Sequence, residues 1–426
     1  MSRRRSRRAV PAAEAGLDEV VRVEDLAAGG RGVARLADGR TVFVPGAFPG
    51  DVVRIKRGLL HASYVEARDI DLLEPSLERQ VPVCADAGRC GGCDWMALPL
   101  PVQRRHKLSI LRQSLQRVGR VAPERLQYDL PIAAGAGLGY RRRVRLHLEG
   151  RKLGFHSAAS HTLVEVERCH VCAPELWQIV TQLRALLADD TLAESALADV
   201  ADIEVRWLDQ AERPAVHLGL RPGAREPKEL SRRLAEFADV EGAEFAQVNA
   251  EVNRHLLDRV LGIAKATGAR TALDVYCGSG NFALPLGRMG VETLGVEGNR
   301  EAVRRARREA SAEGLAVSFK GGDAEVLLSE LAAQNRTFDL VVLDPPRQGA
   351  KGLGALLAKL CGSALVMISC DPVTLARDVA DLEKCGLRLT TTMLLDMFPQ
   401  THHIESLCEF RPAAATELRS PGLAAL

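Results

Sequence analysis

Two short segments of this chain carry the side chains best suited to covalent chemistry. Ser369-Cys370-Asp371-Pro372 follows the apolar run Ala364-Leu-Val-Met-Ile-Ser, which reads as a strand, so Cys370 stands at a strand end. Met397 to Ser406 brings Glu405 to the start of a further extended run that ends near Phe410. A thiolate that adds to C6 of a pyrimidine turns C5 into an enolate-like carbon nucleophile. A carboxylate can then remove the C5 proton so that the thiolate leaves. Pro372 suits the first turn of a helix, which places Cys370 beside a helix N-terminus. The positive end of that dipole would favour the thiolate over a thiol whose free pKa is about 8.5. The plainer reading of Cys370 is a buried structural cysteine, which its position at a strand end reverses; that of Glu405 is a surface glutamate capping a strand, and there sequence physics alone does not choose.

A second constellation reads as a ligand loop. The run Asp274-Val-Tyr-Cys-Gly-Ser-Gly-Asn-Phe282 passes from a strand straight into a helix, and its glycines let backbone approach a ligand at the carboxyl end of the sheet. Such a turn fits a nicotinamide dinucleotide as well as S-adenosylmethionine, and Glu297, at the end of the next strand, could hold a ribose diol of either. Two features separate them. The third glycine of the dinucleotide fingerprint is missing, with Asn281 and Phe282 in its place, and the strand Leu340 to Leu343 ends in Asp344-Pro-Pro-Arg, a rigid acidic edge suited to a flat base. Both point to S-adenosylmethionine.

The chain has 10 cysteines in 426 residues, too sparse for a small disulfide framework. Cys84, Cys90 and Cys93 are spaced C-x5-C-x2-C among glycines, with Cys169 and Cys172 further on. That pattern argues for a metal held by thiolates, and ligand chemistry leaves zinc and an iron–sulfur cluster both open.

These residues need a modular scaffold, since roughly 100–200 residues make one domain. Hydrophobic residues at 46% and charged residues at 26% are ordinary for a water-soluble chain, and no apolar run approaches the roughly 18 residues of a membrane span. The expectation is a cytoplasmic protein without a membrane partner. Net charge is only +2, but five arginines crowd the first eight residues and others recur at 104–120 and 141–145, as phosphate contacts require. Residues 1–14 read as a basic disordered arm. From 15 to 75, short β-branched runs between Gly, Pro and Asp read as a small β-barrel. Residues 76–245 read as an α+β central domain. Its basic amphipathic helix has Leu108, Leu111, Leu115 and Val118 on the apolar stripe, and its strand at 140–148 turns Arg143, Arg145 and His147 to one face. Residues 246–426 alternate strand and helix as a doubly wound α/β sheet, with two extended runs at 387–395 and 404–410 and a frayed tail past Pro412.

Together these residues resemble the RNA 5-methyluridine methyltransferase family, and within it the RumA type that acts on 23S ribosomal RNA. The likeness covers nearly the whole chain and rests on Phe245-Ala-Gln-Val-Asn, Asp274 to Phe282, Gly295-Val-Glu-Gly, Asp344-Pro-Pro-Arg-Gln-Gly-Ala, Ser369-Cys-Asp-Pro and Phe398 to Ser406. Departures are small: Tyr276 stands where Phe is common, and Asp371 where Asn is frequent. The resemblance implies Cys370 as nucleophile and Glu405 as proton acceptor. It implies that Gln247, Tyr276, Asn281, Glu297, Asp323 and Asp344 line the pocket for S-adenosylmethionine and base. It further implies a 4Fe-4S cluster on Cys84, Cys90, Cys93 and Cys169, an OB-like TRAM barrel over 15–75, a Rossmann-like methyltransferase domain and a monomer working on ribosomal RNA. Rival readings are the same chemistry on transfer RNA, a DPP-type RNA N-methyltransferase that leaves Cys370 idle, and a non-catalytic RNA-binding assembly factor.

Overall fold

A computed structural model describes residues 13–126, 131–133, 135–158, 160–207, 214–240 and 247–413. Most of the expected N-terminal arm and the tail beyond Ala413 lie outside the described residues, as do Phe245 and Ala246. The chain divides into two compact units, residues 1–88, 93–106 and 400–402 in one and 89–92, 107–399 and 403–426 in the other.

The first unit is built on β1 (Ala13–Arg22), β2 (Asp25–Leu26), β3 (Gly32–Arg35), β4 (Thr41–Val44), β5 (Val52–Leu60) and β6 (Tyr64–Glu74). They form one sheet in the order β1-β5-β6-β4-β3-β2. Alternation puts Val42, Val44, Val53, Ile55 and Val65 into its core. Buried Asp51 fastens the chain that follows, accepting from the backbone N–H of Phe48 and Ser76 and from the Arg79 guanidinium. Helix α1 (Leu100–Arg117) comes next. Of the expected apolar stripe Leu111 and Leu115 are buried on it and Leu108 is half-buried, while Val118 lies past its end and is 42% exposed.

In the second unit β7 (Arg143–Glu149), β8 (Lys152–His156), β9 (Leu163–Val164), helix α2 (Pro174–Ala188), β10 (Val200–Arg206), β11 (Ala215–Leu220), helix α3 (Lys228–Leu234) and β12 (Asp239–Val240) make the α+β part. Its sheet order is β12-β11-β10-β7-β8-β9. Val144, Leu146 and Leu148 face the core, as the alternation requires.

The rest of this unit is α4 (Ala250–Thr267), β13 (Thr271–Val275), α5 (Ala283–Arg288), β14 (Glu292–Glu297), α6 (Arg300–Ala312), β15 (Val317–Gly321), α7 (Ala324–Ala333), β16 (Phe338–Leu343), α8 (Gly354–Leu360), β17 (Cys361–Ser369), α9 (Pro372–Lys384), β18 (Leu387–Leu395) and β19 (Glu405–Pro412). Helix α4 shows why such segments fold: Asn249 caps its first turn, Val252, Leu256, Val260 and Ile263 line one buried face, and Gly268 at φ 63° ends it. The strands form a seven-stranded sheet, β15-β14-β13-β16-β17-β19-β18, parallel except for β19, which runs antiparallel to both its neighbours. Helices cover both faces, so the central strands are apolar throughout and Leu340 to Leu343 are fully buried. Every parallel strand ends on the same edge, and the candidate residues gather there.

Candidate functional site

The loop after β13 is shaped by its backbone. Tyr276 has φ 62°, which a bulky side chain rarely adopts, and Gly278 and Gly280 follow at φ 55° and 97°. A Cβ on Gly280 would come within 2.8 Å of Leu284, so only glycine lets the loop close on α5. Buried Asp274 props the turn, one oxygen accepting the Ala283 N–H at 2.9 Å. Its other oxygen has no hydrogen-bond partner among the described residues, and burial holds its pKa well above the carboxylate range. Glu297, ending β14, accepts from the backbone N–H of Gly278 at 3.0 Å and of Asn299 at 2.7 Å, which fixes it against the loop.

The reactive groups come from β16, β17 and β19. Asp344 follows β16, and the two prolines after it stiffen the turn that carries Arg347. Antiparallel pairing sets Ser369 opposite Ser406, so Cys370, just past β17, and Glu405, opening β19, leave adjacent strand ends side by side. The Met397 to Glu405 segment is tied to α1, where the fully buried Lys107 ammonium donates to Asp396 Oδ1 and to the Phe398 carbonyl, each at 2.9 Å.

Electrostatics correct one expectation. The Cys370 thiol is pushed up to about 11, first by burial and then by Glu405, with Asp344 adding and Arg347 opposing. The dipole of α9 does not rescue it, because Asp371 caps that helix, accepting from Val373 and Thr374 at 3.0 and 2.7 Å. The positive helix end is thus satisfied by a carboxylate next door to the sulfur. Asp344 is raised to about 6 by burial, and Glu405 is held well above its ordinary range by burial and by Asp344. Neither carboxylate nor the Arg347 guanidinium has a hydrogen-bond or ion-pair partner among the described residues.

A cavity of about 630 Å³ joins these pieces, a size suited to a cofactor-class ligand. Six of the sequence candidates line it: Gln247, Tyr276, Glu297, Asp344, Cys370 and Glu405. Asn281 lines an adjoining cavity of about 360 Å³, which shares Gln247, Tyr276 and Asp344, and a reciprocal amide pair with Asn253 at 3.0 and 3.1 Å holds it. Asp323 lines neither; it caps α7 through the Val326 N–H at 3.1 Å and acts on Tyr276 only through its charge. Sequence reasoning missed Arg141, Arg347, Phe398 and His403 as lining residues. The last two form an edge-to-face pair 5.6 Å apart, and their place inside the segment that carries Glu405 was the available signal.

For S-adenosylmethionine the residues fit: a positive-φ loop, propped by buried Asp274, and a glutamate at the next strand end line one hollow. For the cysteines the structure assembles less. Cys84 and Cys93 belong to the first unit, whereas Cys90 and Cys169 belong to the second, where both pack against the core of the α+β sheet. No group of three or more His, Cys, Asp or Glu side chains among the described residues is arranged to hold a metal ion. Cys169 is lowered to about 6, chiefly by a hydrogen bond from Cys172.

Comparison with known proteins agrees with this geometry. Residues 221–409 match a family described as tRNA (Uracil-5-)-methyltransferase, and residues 19–56 match the TRAM domain. The chain is 35% identical to the 23S rRNA (uracil(1939)-C(5))-methyltransferase RlmD of Alkalilimnicola ehrlichii, covering 92% of this chain and 96% of that protein. It is 36% identical to the protein of the same name from Chromohalobacter salexigens, covering 90% and 87%. Among solved structures, the tRNA (uracil-54, C5)-methyltransferase of Pyrococcus abyssi in complex with S-adenosyl-L-homocysteine shares the fold, with TM-score 0.68 at 22% identity over 92% of this chain and all of that one.

Proposed function

This chain belongs to the RNA (uracil-C5)-methyltransferases, and from that premise we propose that it methylates C5 of a uridine in 23S ribosomal RNA through a covalent adduct on Cys370. The observation that carries the reading is the convergence of Cys370, Glu405 and Asp344 on one cavity with the loop after β13. The ribosomal target is supported by the names of the full-length relatives.

S-adenosylmethionine, when bound, supplies an electrophilic methyl group. The protein's part begins with a uridine turned out of its RNA into the cavity. The Cys370 thiol releases its proton to solvent, the resulting thiolate adds to C6, and the ring electrons displaced onto C5 and O4 form an enolate. C5 takes the methyl group and becomes tetrahedral, still carrying its hydrogen. Glu405 accepts that proton, the C5–C6 double bond re-forms, and the Cys370–C6 bond breaks to return the thiolate. Glu405 acts here in its ionised form, and the burial that disfavours that form makes it a stronger acceptor of a carbon-bound proton than an ordinary carboxylate. Arg347 is the positive charge that opposes the burial of the sulfur. Gln247, Tyr276, Asn281, Glu297 and Asp344 are assigned to the cofactor and base, with Asp323 acting on Tyr276 through its charge.

A 4Fe-4S cluster on Cys84, Cys90, Cys93 and Cys169 is part of the same reading. It is supported by their spacing and the family likeness, and no step of methyl transfer passes through it. Iron and sulfide in about a 4:4 ratio with the anaerobically purified protein are expected; stoichiometric zinc would exclude the cluster.

The mechanism is tested with RNA carrying 5-fluorouridine, whose C5 fluorine cannot leave as a proton. The wild type is expected to form a denaturation-stable protein–RNA adduct, and Cys370→Ala to form none and to lose turnover. Full turnover by Cys370→Ala would favour an N-methyltransferase instead. Mapping the 5-methyluridines lost from total RNA of a deletion strain decides between ribosomal and transfer RNA.

A further inference from the structure

A second cavity, of about 450 Å³, shares a wall with the catalytic one. The wall is a pair of short extended segments: Arg141 is bridged antiparallel to Asn249, and the Arg142 N–H donates to the Val248 carbonyl at 3.0 Å. Arg141, Gln247 and Val248 face the catalytic cavity, whereas Arg142, Asn249 and Ala250 face the second.

The second cavity opens onto the N-terminus of α4, an 18-residue helix. The N–H groups of Ala250 and Glu251 stand in its first turn, where no preceding carbonyl can satisfy them, and the helix dipole is positive there. Asn249 is 1% exposed; its side-chain oxygen accepts the Val252 N–H at 3.2 Å, and its amide nitrogen, a double donor, has no hydrogen-bond partner among the described residues. A buried amide left unsatisfied costs on the order of 1–3 kcal/mol, which an acceptor brought by a ligand would recover. Two guanidiniums line the same space. Arg142 is engaged with Glu175 at 3.5 Å, but Arg254 is exposed and makes no hydrogen bond or ion pair among the described residues. Glu251 is the acidic side chain lining the cavity, and it works against an anion.

We propose that this cavity is a subsite for a backbone phosphate of the RNA strand, flanking the uridine held across the shared wall. Amide donors, helix end and guanidinium are what a phosphate oxygen accepts from. The subsite rests on the proposed RNA substrate and adds to it where the strand is gripped.

Binding of an unmodified 23S ribosomal RNA transcript to the full-length protein, measured over a series of KCl concentrations, tests it. Arg254→Gln is expected to weaken binding about tenfold and to lower the slope of log affinity against log salt by about one. Asn249→Asp keeps an oxygen to cap Val252 but replaces the donor with a carboxylate, and is expected to weaken binding at least as much. Glu251→Gln is expected to tighten it. Arg254→Gln and Glu251→Gln affinities within twofold of wild type, with its salt slope, would overturn the subsite. Weakening with an unchanged slope would show a base or ribose there and overturn the phosphate. Wild-type methylation of the same transcript is followed in parallel: its absence counts against the enzymatic reading, while the binding comparison still decides the subsite.

Discussion

Two buried carboxylate environments in the second unit are handled in opposite ways. On the α+β sheet, Glu204 of β10 is fully buried and shared by the guanidiniums of Arg143 at 2.9 Å and Arg145 at 3.1 Å, with Arg206 within 3.8 Å. At the edge of the seven-stranded sheet, Glu405 and Asp344 have no such partners among the described residues, and both are pushed toward their neutral forms. Pairing of the first kind holds a fold together. Leaving charge uncompensated in a cavity costs stability and keeps the groups available for a substrate.

The sharpest way to break this contrast is to remove the carboxylate at Glu405 while keeping its shape. Glu405→Gln leaves addition and methyl transfer possible but nothing to take the C5 proton. Turnover is expected to fall about 10²–10⁴-fold, the usual range for losing a general base. The methylated RNA should remain attached to Cys370 and be visible as a slow band on a denaturing gel with ordinary uridine RNA. Unchanged turnover would return Glu405 to a strand-end role.

The opposite result is expected of Glu204. Glu204→Ala removes the fully buried carboxylate that Arg143 and Arg145 share, and breaking a buried pair costs roughly 3–5 kcal/mol. Urea unfolding at neutral pH measures this, while the folded fraction should retain its affinity for S-adenosylmethionine. A loss of cofactor binding without a loss of stability would reverse the assignment of the two regions.

The sequence showed one of these environments and hid the other. Apolar runs that end in Asp344, Cys370 and Glu405 are local signals, since a parallel strand buried on both faces must be apolar and must stop where the ligand begins. The fate of Arg143 and Arg145 is not local. Alternation along β7 turned them to one face as read, but the partner that neutralises them sits on β10, some 60 residues on, and only the register supplies Glu204 and Asp202 opposite. The thiol was misjudged for a related reason: the helix end beside Cys370 was visible, and so was Asp371, yet which of them the N–H groups serve depends on cap geometry. Arg141 and Arg347 were both in view as members of a cluster and a motif. What assigns them to the cavity is the meeting of β16 with the pair of extended segments before α4, which no periodicity records.

The smallest expected effect is also the cleanest measure of what the uncompensated site costs. In the folded protein Asp344 titrates at about 6, against about 3.9 for an exposed aspartate. Below the lower value both states hold the proton and the residue has no effect. As pH rises from 4 toward 6 the unfolded chain releases its proton first, so the folded state is progressively disfavoured, and above 6 the penalty is constant at roughly 3 kcal/mol. Asp344→Asn has no proton to lose, and no hydrogen bond or ion pair of the carboxylate is lost with it among the described residues. The variant is expected to be more stable than wild type at pH 8, to converge with it near pH 4, and to be inactive throughout. A variant that is less stable at pH 8 would mean that the Asp344 carboxylate is compensated after all, and the distinction between the two regions would fail at the residue where it is most exposed to measurement.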